Sequence, residues 1–78
     1  MEIRAVFAEN LKKHRRSAGL SQEDLAHAAG VERAYVSMLE RKQSSPTIDM
    51  LSKLAKALDV EPYQLISPIA RRPRKAGD

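Results

Sequence analysis

Residues 32–42, ERAYVSMLERK, carry the side chains best suited to recognising a ligand. Turning Val36 and Leu39 toward a core and stepping 100° per residue leaves Ala34, Ser37, Met38 and Arg41 on the opposite side. Arg33 falls in the first turn, at the flank of that side. Its planar guanidinium fork matches a pair of acceptors such as guanine O6 and N7. Ser37 can bond several base edges, whereas Ala34 offers only apolar contact to a thymine methyl. Met38 suits the same methyl or is an ordinary surface methionine. Glu32 either accepts from a cytosine amine or favours the positive end of its own helix. Tyr35 lies sideways, its hydroxyl within reach of a phosphate and its ring against the helical corner. Catalytic chemistry has no comparable set. The chain lacks a glycine-rich phosphate loop and any paired Ser–His or Cys–His arrangement, and its carboxylates are scattered over polar helical faces. No enzyme activity is expected. There is no cysteine, and His14 and His27 without a third ligand make no metal site, so no cofactor is expected either.

The elements that must position this face are legible just upstream. Ser21 is a good N-cap with Asp24 three residues on, and Leu25, Ala26 and Ala29 form a stripe at helical spacing. Gly30 stands where a helix ends in the left-handed conformation, and Val31, Val36 and Leu39 resume the apolar pattern. Ala26 is small at the place where two crossing helices come closest. The spacing predicts a helix over 22–29, a tight turn at Gly30, and a second helix over 32–42.

Gln22, Ala26 and Gly30, in register with apolar Leu25, Ala29, Val31, Val36 and Leu39, resemble the helix-turn-helix of the Cro and phage-repressor (XRE-like) type. The resemblance extends over roughly residues 7–66. It is closer still to members that control restriction-modification genes, whose third helix similarly reads Arg-x-Tyr-(Val/Ile)-Ser; here these are Arg33, Tyr35, Val36 and Ser37. It implies a compact all-α domain of five helices and a transcriptional regulator binding duplex DNA sequence-specifically. The third helix would enter the major groove, with Arg33, Ala34, Ser37 and Met38 at the base edges. Gln22, at a helix N-terminus, would hold a phosphate, with Tyr35, Arg41, Lys42, Gln43 and Ser44 as further backbone contacts. The resemblance further implies that Arg15 pairs with Glu40. His14 departs from the family, which commonly has an aliphatic residue there.

The rest of the chain fits one small domain. A first helix is expected over 1–18, with Ile3, Phe7, Leu11, His14 and Ala18 on its inner face. After the loop 43–46, Thr47 caps a fourth helix whose apolar face is Ile48, Leu51, Leu54, Ala55 and Leu58. Pro62 opens a short fifth, whose Tyr63, Leu65 and Ile66 close the core or form a seam between subunits. A 78-residue chain has a thin core, which favours a homodimer held by those three residues. The domain is expected to span 1–66, followed by a basic, disordered tail over 67–78 holding Arg71, Arg72, Arg74 and Lys75 against Asp78. Without the tail the balance is 10 basic to nine acidic side chains, so net charge says little about nucleic acid. No apolar run approaches the roughly 20 residues of a membrane span, and no leader is expected, which points to the cytoplasm and to no membrane partner. An antitoxin-like module binding a protein partner, or a pure interaction domain with DNA binding secondary or lost, remains the alternative.

Overall fold

The computed structural model of the chain describes residues 2–68. Four α-helices follow in order: α1 (Ile3–Ser17), α2 (Gln22–Ala29), α3 (Arg33–Glu40) and α4 (Ile48–Leu58). A single 3-10 turn, Pro62–Leu65, stands where a fifth α-helix is expected. Four residues make up the turn. They close i→i+3 bonds, Gln64 N–H to Glu61 O at 2.9 Å and Ile66 N–H to Tyr63 O at 3.2 Å, instead of an α-helical ladder.

The helix starts follow local chemistry. Glu2 caps α1 by accepting from Ala5 N–H. Ser21 and Asp24 form a reciprocal capping box, with Asp24 N–H donating to Ser21 Oγ and Ser21 N–H to the Asp24 carboxylate. That bond from the Ser21 backbone holds the Asp24 carboxyl below its ordinary pKa. Thr47 Oγ accepts from Met50 N–H at 3.0 Å and starts α4. Glu32 opens α3 with no side-chain cap bond.

All four helices end alike, in a Schellman arrangement. A residue with positive φ follows each helix (Gly19, Gly30, Lys42, Asp59), and the next N–H reaches back five residues. These bonds are Leu20 to Arg15, Val31 to Ala26, Gln43 to Met38 and Val60 to Ala55, at 2.9–3.1 Å. Gly30 lies at φ 75°, ψ 33°, and a Cβ built there meets nothing within 4 Å. Gly30→Val therefore carries only the backbone strain of a β-branched residue in the left-handed region, about 1–3 kcal/mol. A denaturant melt should show that loss; a midpoint equal to the parent's would mean the turn relaxes without glycine.

The core takes one fully buried side chain or more from every element: Leu11, Leu25, Val36, Leu39, Leu54 and Leu65. The inner face of α1 is Phe7, Ala8, Leu11 and Arg15, rotated from the expected stripe, so His14 is half-buried and Ala18 exposed. Ile3 and Ile48 also leave the faces assigned to them; Ile48 is 81% exposed in the first turn of α4, ahead of the core positions Leu51, Leu54, Ala55 and Leu58. Of the three residues expected to close the core or form a seam between subunits, Leu65 is fully buried within the protomer, while Tyr63 and Ile66 beside it are exposed. The backbone after the 3-10 turn is tied down by buried Asn10, whose Nδ2 donates to Ser67 O at 2.6 Å. Ser67 is thus bound into the fold rather than part of the tail; the remaining tail expectation concerns 69–78 and lies outside the described residues. Among the described residues no helix is long and apolar enough to cross a membrane.

Candidate nucleic-acid interface

Val36 and Leu39 anchor α3 in the core, so its other side is forced outward. Arg33, Ala34 and Arg41 are exposed, Met38 is 38% exposed, and Ser37 is half-buried at the edge of the same face. Tyr35 is half-buried and packs against the core cluster. Helix α3 is shorter than the expected 32–42: Glu32 is its N-cap, Arg41 its C-cap, and Lys42 has left the helical region. Gln22 begins α2 beside it, where the first amides have no intrahelical carbonyl to bond.

The structure brings Arg15, Gln22, Arg33 and Glu40 together from three helices. Arg15 grips Glu40 through two bonds, Nε to Oε2 at 2.6 Å and Nη2 to Oε1 at 3.1 Å, and its Nη1 donates to Leu20 O at 2.8 Å. Both partners are buried. Gln22 Nε2 donates to Glu40 Oε1 at 3.0 Å, and Arg33 Nη1 donates to Gln22 Oε1 at 3.2 Å. Burial alone would raise the Glu40 pKa. The bonds from Arg15 and Gln22, with the charges of Arg15 and Lys12, outweigh it and hold the carboxyl below its ordinary value.

The end of α3 breaks the rule that the other three ends obey. Leu20, Val31 and Val60 each follow their left-handed residue and pack on the core. After α3 the corresponding residues are Lys42, at φ 65°, and Gln43, both exposed and polar. A lysine in that conformation costs about 1–2 kcal/mol that glycine would avoid. Lys42 thus carries the strain without the packing return that Leu20, Val31 and Val60 bring to the other three ends. Sequence periodicity gives no signal of it, because any residue type extends the pattern of α3 by two positions. The Gln22–Arg33 bond is likewise invisible in the sequence, since it depends on the angle between α2 and α3.

A second surface lies beyond the loop. Ile3, Phe7, Pro46, Ile48, Leu51 and Ile66 line most of an apolar groove of about 260 Å³. Arg4 and Ser45 join its edge through an Nε–Oγ bond of 2.9 Å. No cluster of three or more His, Cys, Asp or Glu able to hold a metal occurs among the described residues.

Comparison with known proteins agrees with this architecture. The helix-turn-helix family model matches residues 11–65. A hypothetical transcription factor of Neisseria meningitidis is 42% identical over 71 residues, covering 91% of this chain and 67% of the relative. The control protein C.SmaI of Serratia marcescens is 39% identical, covering 86% of this chain and 80% of its own length. Among solved structures, the restriction-modification controller protein C.AhdI of Aeromonas hydrophila is 42% identical. It superposes with a TM-score of 0.77 over 80% of this chain and 94% of that one. These relatives are regulators rather than enzymes. The chain belongs to the helix-turn-helix family of the Cro and phage-repressor (XRE-like) type and is a DNA-binding transcriptional regulator.

Proposed function

We propose that the chain acts in the cytoplasm as a homodimer on a two-fold operator, each protomer laying α3 into the major groove of one half-site about 34 Å from the other. Arg33 reads a guanine, with Ala34, Ser37 and Met38 along the same base edges. Gln22, Tyr35, Arg41, Lys42, Gln43 and Ser44 grip the phosphates on either side. The observation that carries this reading is the end of α3, where a strained lysine is followed by an exposed glutamine instead of the core-packing apolar residue that follows Gly19, Gly30 and Asp59. The likeness to the control protein C.SmaI and to the restriction-modification controller C.AhdI supports a controller role, and the DNA upstream of its own gene is the first candidate operator. Footprinting of the DNA immediately upstream of that gene tests it; a duplex bound no better than a scrambled one would end the proposal.

Reading and holding separate experimentally. Arg33→Ala should cost about 1–3 kcal/mol on the operator and relax preference at one base pair. Lys42→Ala should weaken all duplexes about equally and lower the slope of log affinity against log salt by about one. Lys42→Gly should do the same to binding yet raise fold stability by about 1 kcal/mol, because the left-handed strain is relieved. Titrations at several salt concentrations, on operator and scrambled duplex, check all three. Equal losses on both duplexes for Arg33→Ala would make Arg33 a phosphate clamp.

The dimer surface in this reading is the apolar groove. Ile3, Ile48 and Ile66 are exposed around it, and its rim at Ser45–Ile48 directly follows the phosphate clamp at Lys42–Ser44. A two-fold axis there sets the two copies of α3 side by side, and each protomer offers both a projecting Ile48 and a groove to receive one. Ile48→Glu should leave the fold intact, since the side chain already faces solvent, and give a monomer by sedimentation at tens of micromolar. A dimer unchanged by Ile48→Glu would move the interface elsewhere.

A further inference from the structure

Glu40 is 6% exposed and offers nothing to DNA directly, yet it begins a chain of hydrogen bonds that ends on the outward face of α3. The order of donors and acceptors along that chain is fixed. Arginine only donates and an ionised carboxylate only accepts, so the Gln22 amide between them must use both its ends. Its NH2 group faces Glu40 at 3.0 Å and its carbonyl oxygen faces the Arg33 guanidinium at 3.2 Å. Rotating the amide by 180° would set NH2 against guanidinium and carbonyl against carboxylate, two repulsive pairs in place of two bonds. Arg15, bound twice to the same carboxylate and once to Leu20 O, keeps Glu40 from turning away.

We infer that Glu40 is a positioning residue for base recognition: acting through the Gln22 amide, it holds the Arg33 side chain in the orientation that meets a base. The inference rests on the DNA-binding reading above, in which Arg33 contacts the operator. One N–H of Arg33 is committed to Gln22, and the remaining donors stay free for guanine O6 and N7. Gln22 therefore has a role beyond a phosphate contact. A long side chain ordered before binding spares the complex that ordering, which corresponds to about two- to tenfold in affinity. The gain applies only where Arg33 meets its proper base, so it appears as sequence preference rather than as general affinity.

The experiment measures preference, the ratio of affinity for the operator to that for an operator changed at the base pair Arg33 reads. Taking this ratio cancels any phosphate contact that Gln22 makes. Gln22→Met keeps the side-chain length and the Arg15–Glu40 pair but cannot accept from Arg33. It should lower the preference about two- to tenfold at that base pair and at no other. Glu40→Gln should do likewise, and neither change should matter further in an Arg33→Ala background. In the free protein, the side-chain NH2 signals of Gln22 in a nitrogen-15 spectrum should shift on Glu40→Gln, a readout that needs no DNA. Should Glu40→Gln fail to fold, Gln22→Met still decides the matter. Unchanged preference in folded Gln22→Met overturns this inference alone. A uniform loss on all duplexes, or a loss that persists without Arg33, also overturns it, because that is what a purely structural role would give. A parent chain with no sequence preference at all overturns the DNA-binding reading, and this inference with it.

Discussion

Leu65→Ala should destabilise the protomer by about 2–5 kcal/mol, the range for removing a fully buried leucine side chain where the surroundings collapse only partly. Leu65 has no exposed surface and belongs to the same cluster as Leu11, Leu39 and Leu54, although it stands on a four-residue 3-10 turn near the end of the chain. The turn is held from two sides. Gln64 Oε1 accepts from Glu61 N–H at 2.8 Å, and buried Asn10 holds Ser67 O from α1. Leu65 therefore cannot withdraw cheaply, and its truncation leaves a cavity. A domain of this size has roughly 4–12 kcal/mol of stability in all, so the loss is a large fraction of the total. Urea denaturation read at two protein concentrations checks the assignment. The midpoint should fall by a similar amount at both, and dissociation of the proposed dimer should be little changed in the folded variant. A variant that melts with the parent but no longer dimerises would return Leu65 to the subunit interface.

Leu65 and Ile66 also show where sequence reading stops. Both are large, apolar and adjacent, and a helix of uncertain type gives no way to tell which one turns inward. The 3-10 geometry decides it, burying Leu65 and leaving Ile66 and Tyr63 outside. Ile48 fails for a related reason. It lies three residues before Leu51 and so fits the inner stripe of α4, but the stripe begins only after the first turn, and Ile48 projects past the edge of the core. By contrast Ser21 with Asp24, Gly30 and Thr47 are legible because capping and left-handed turns are decided by residues within a few positions of one another. The Asn10–Ser67 bond spans 57 positions and leaves no local trace. Lys42 is the instructive case. Composition gives no reason to end α3 before Arg41, and the missing apolar residue after Lys42 becomes visible only beside the three turns whose Leu20, Val31 and Val60 pack on the core. The Arg15–Glu40 pair is known from the sequence solely through family resemblance; a periodicity argument places two charged residues on solvated faces, not at the meeting point of α1, α2 and α3.

Arg15→Met should be the most costly change to the polar part of the fold, about 3–5 kcal/mol at neutral pH, because it leaves the Glu40 carboxylate buried without its charge partner. The Gln22 amide still donates to it at 3.0 Å, which places the loss toward the lower end of that range. The same substitution should reverse how acid acts at this site. In the parent, the Glu40 pKa is held below its ordinary value of 4.5. An unfolded chain then binds the proton more tightly than the folded one, so the contribution of Glu40 is fully present above about pH 4.5. It is lost as pH falls through the lower, folded pKa. Without Arg15 the main groups opposing desolvation are gone, and burial pushes the folded pKa upward instead. Protonation now relieves an unpaired charge, so Glu40 in Arg15→Met should favour folding as the solution is acidified. Other carboxylates titrate in both proteins, so the informative quantity is the difference in urea midpoint between parent and variant. That difference should be largest near pH 7 and shrink toward pH 4. A gap that stayed constant across this range would mean that the loss comes from packing of the Arg15 stem rather than from the stranded charge.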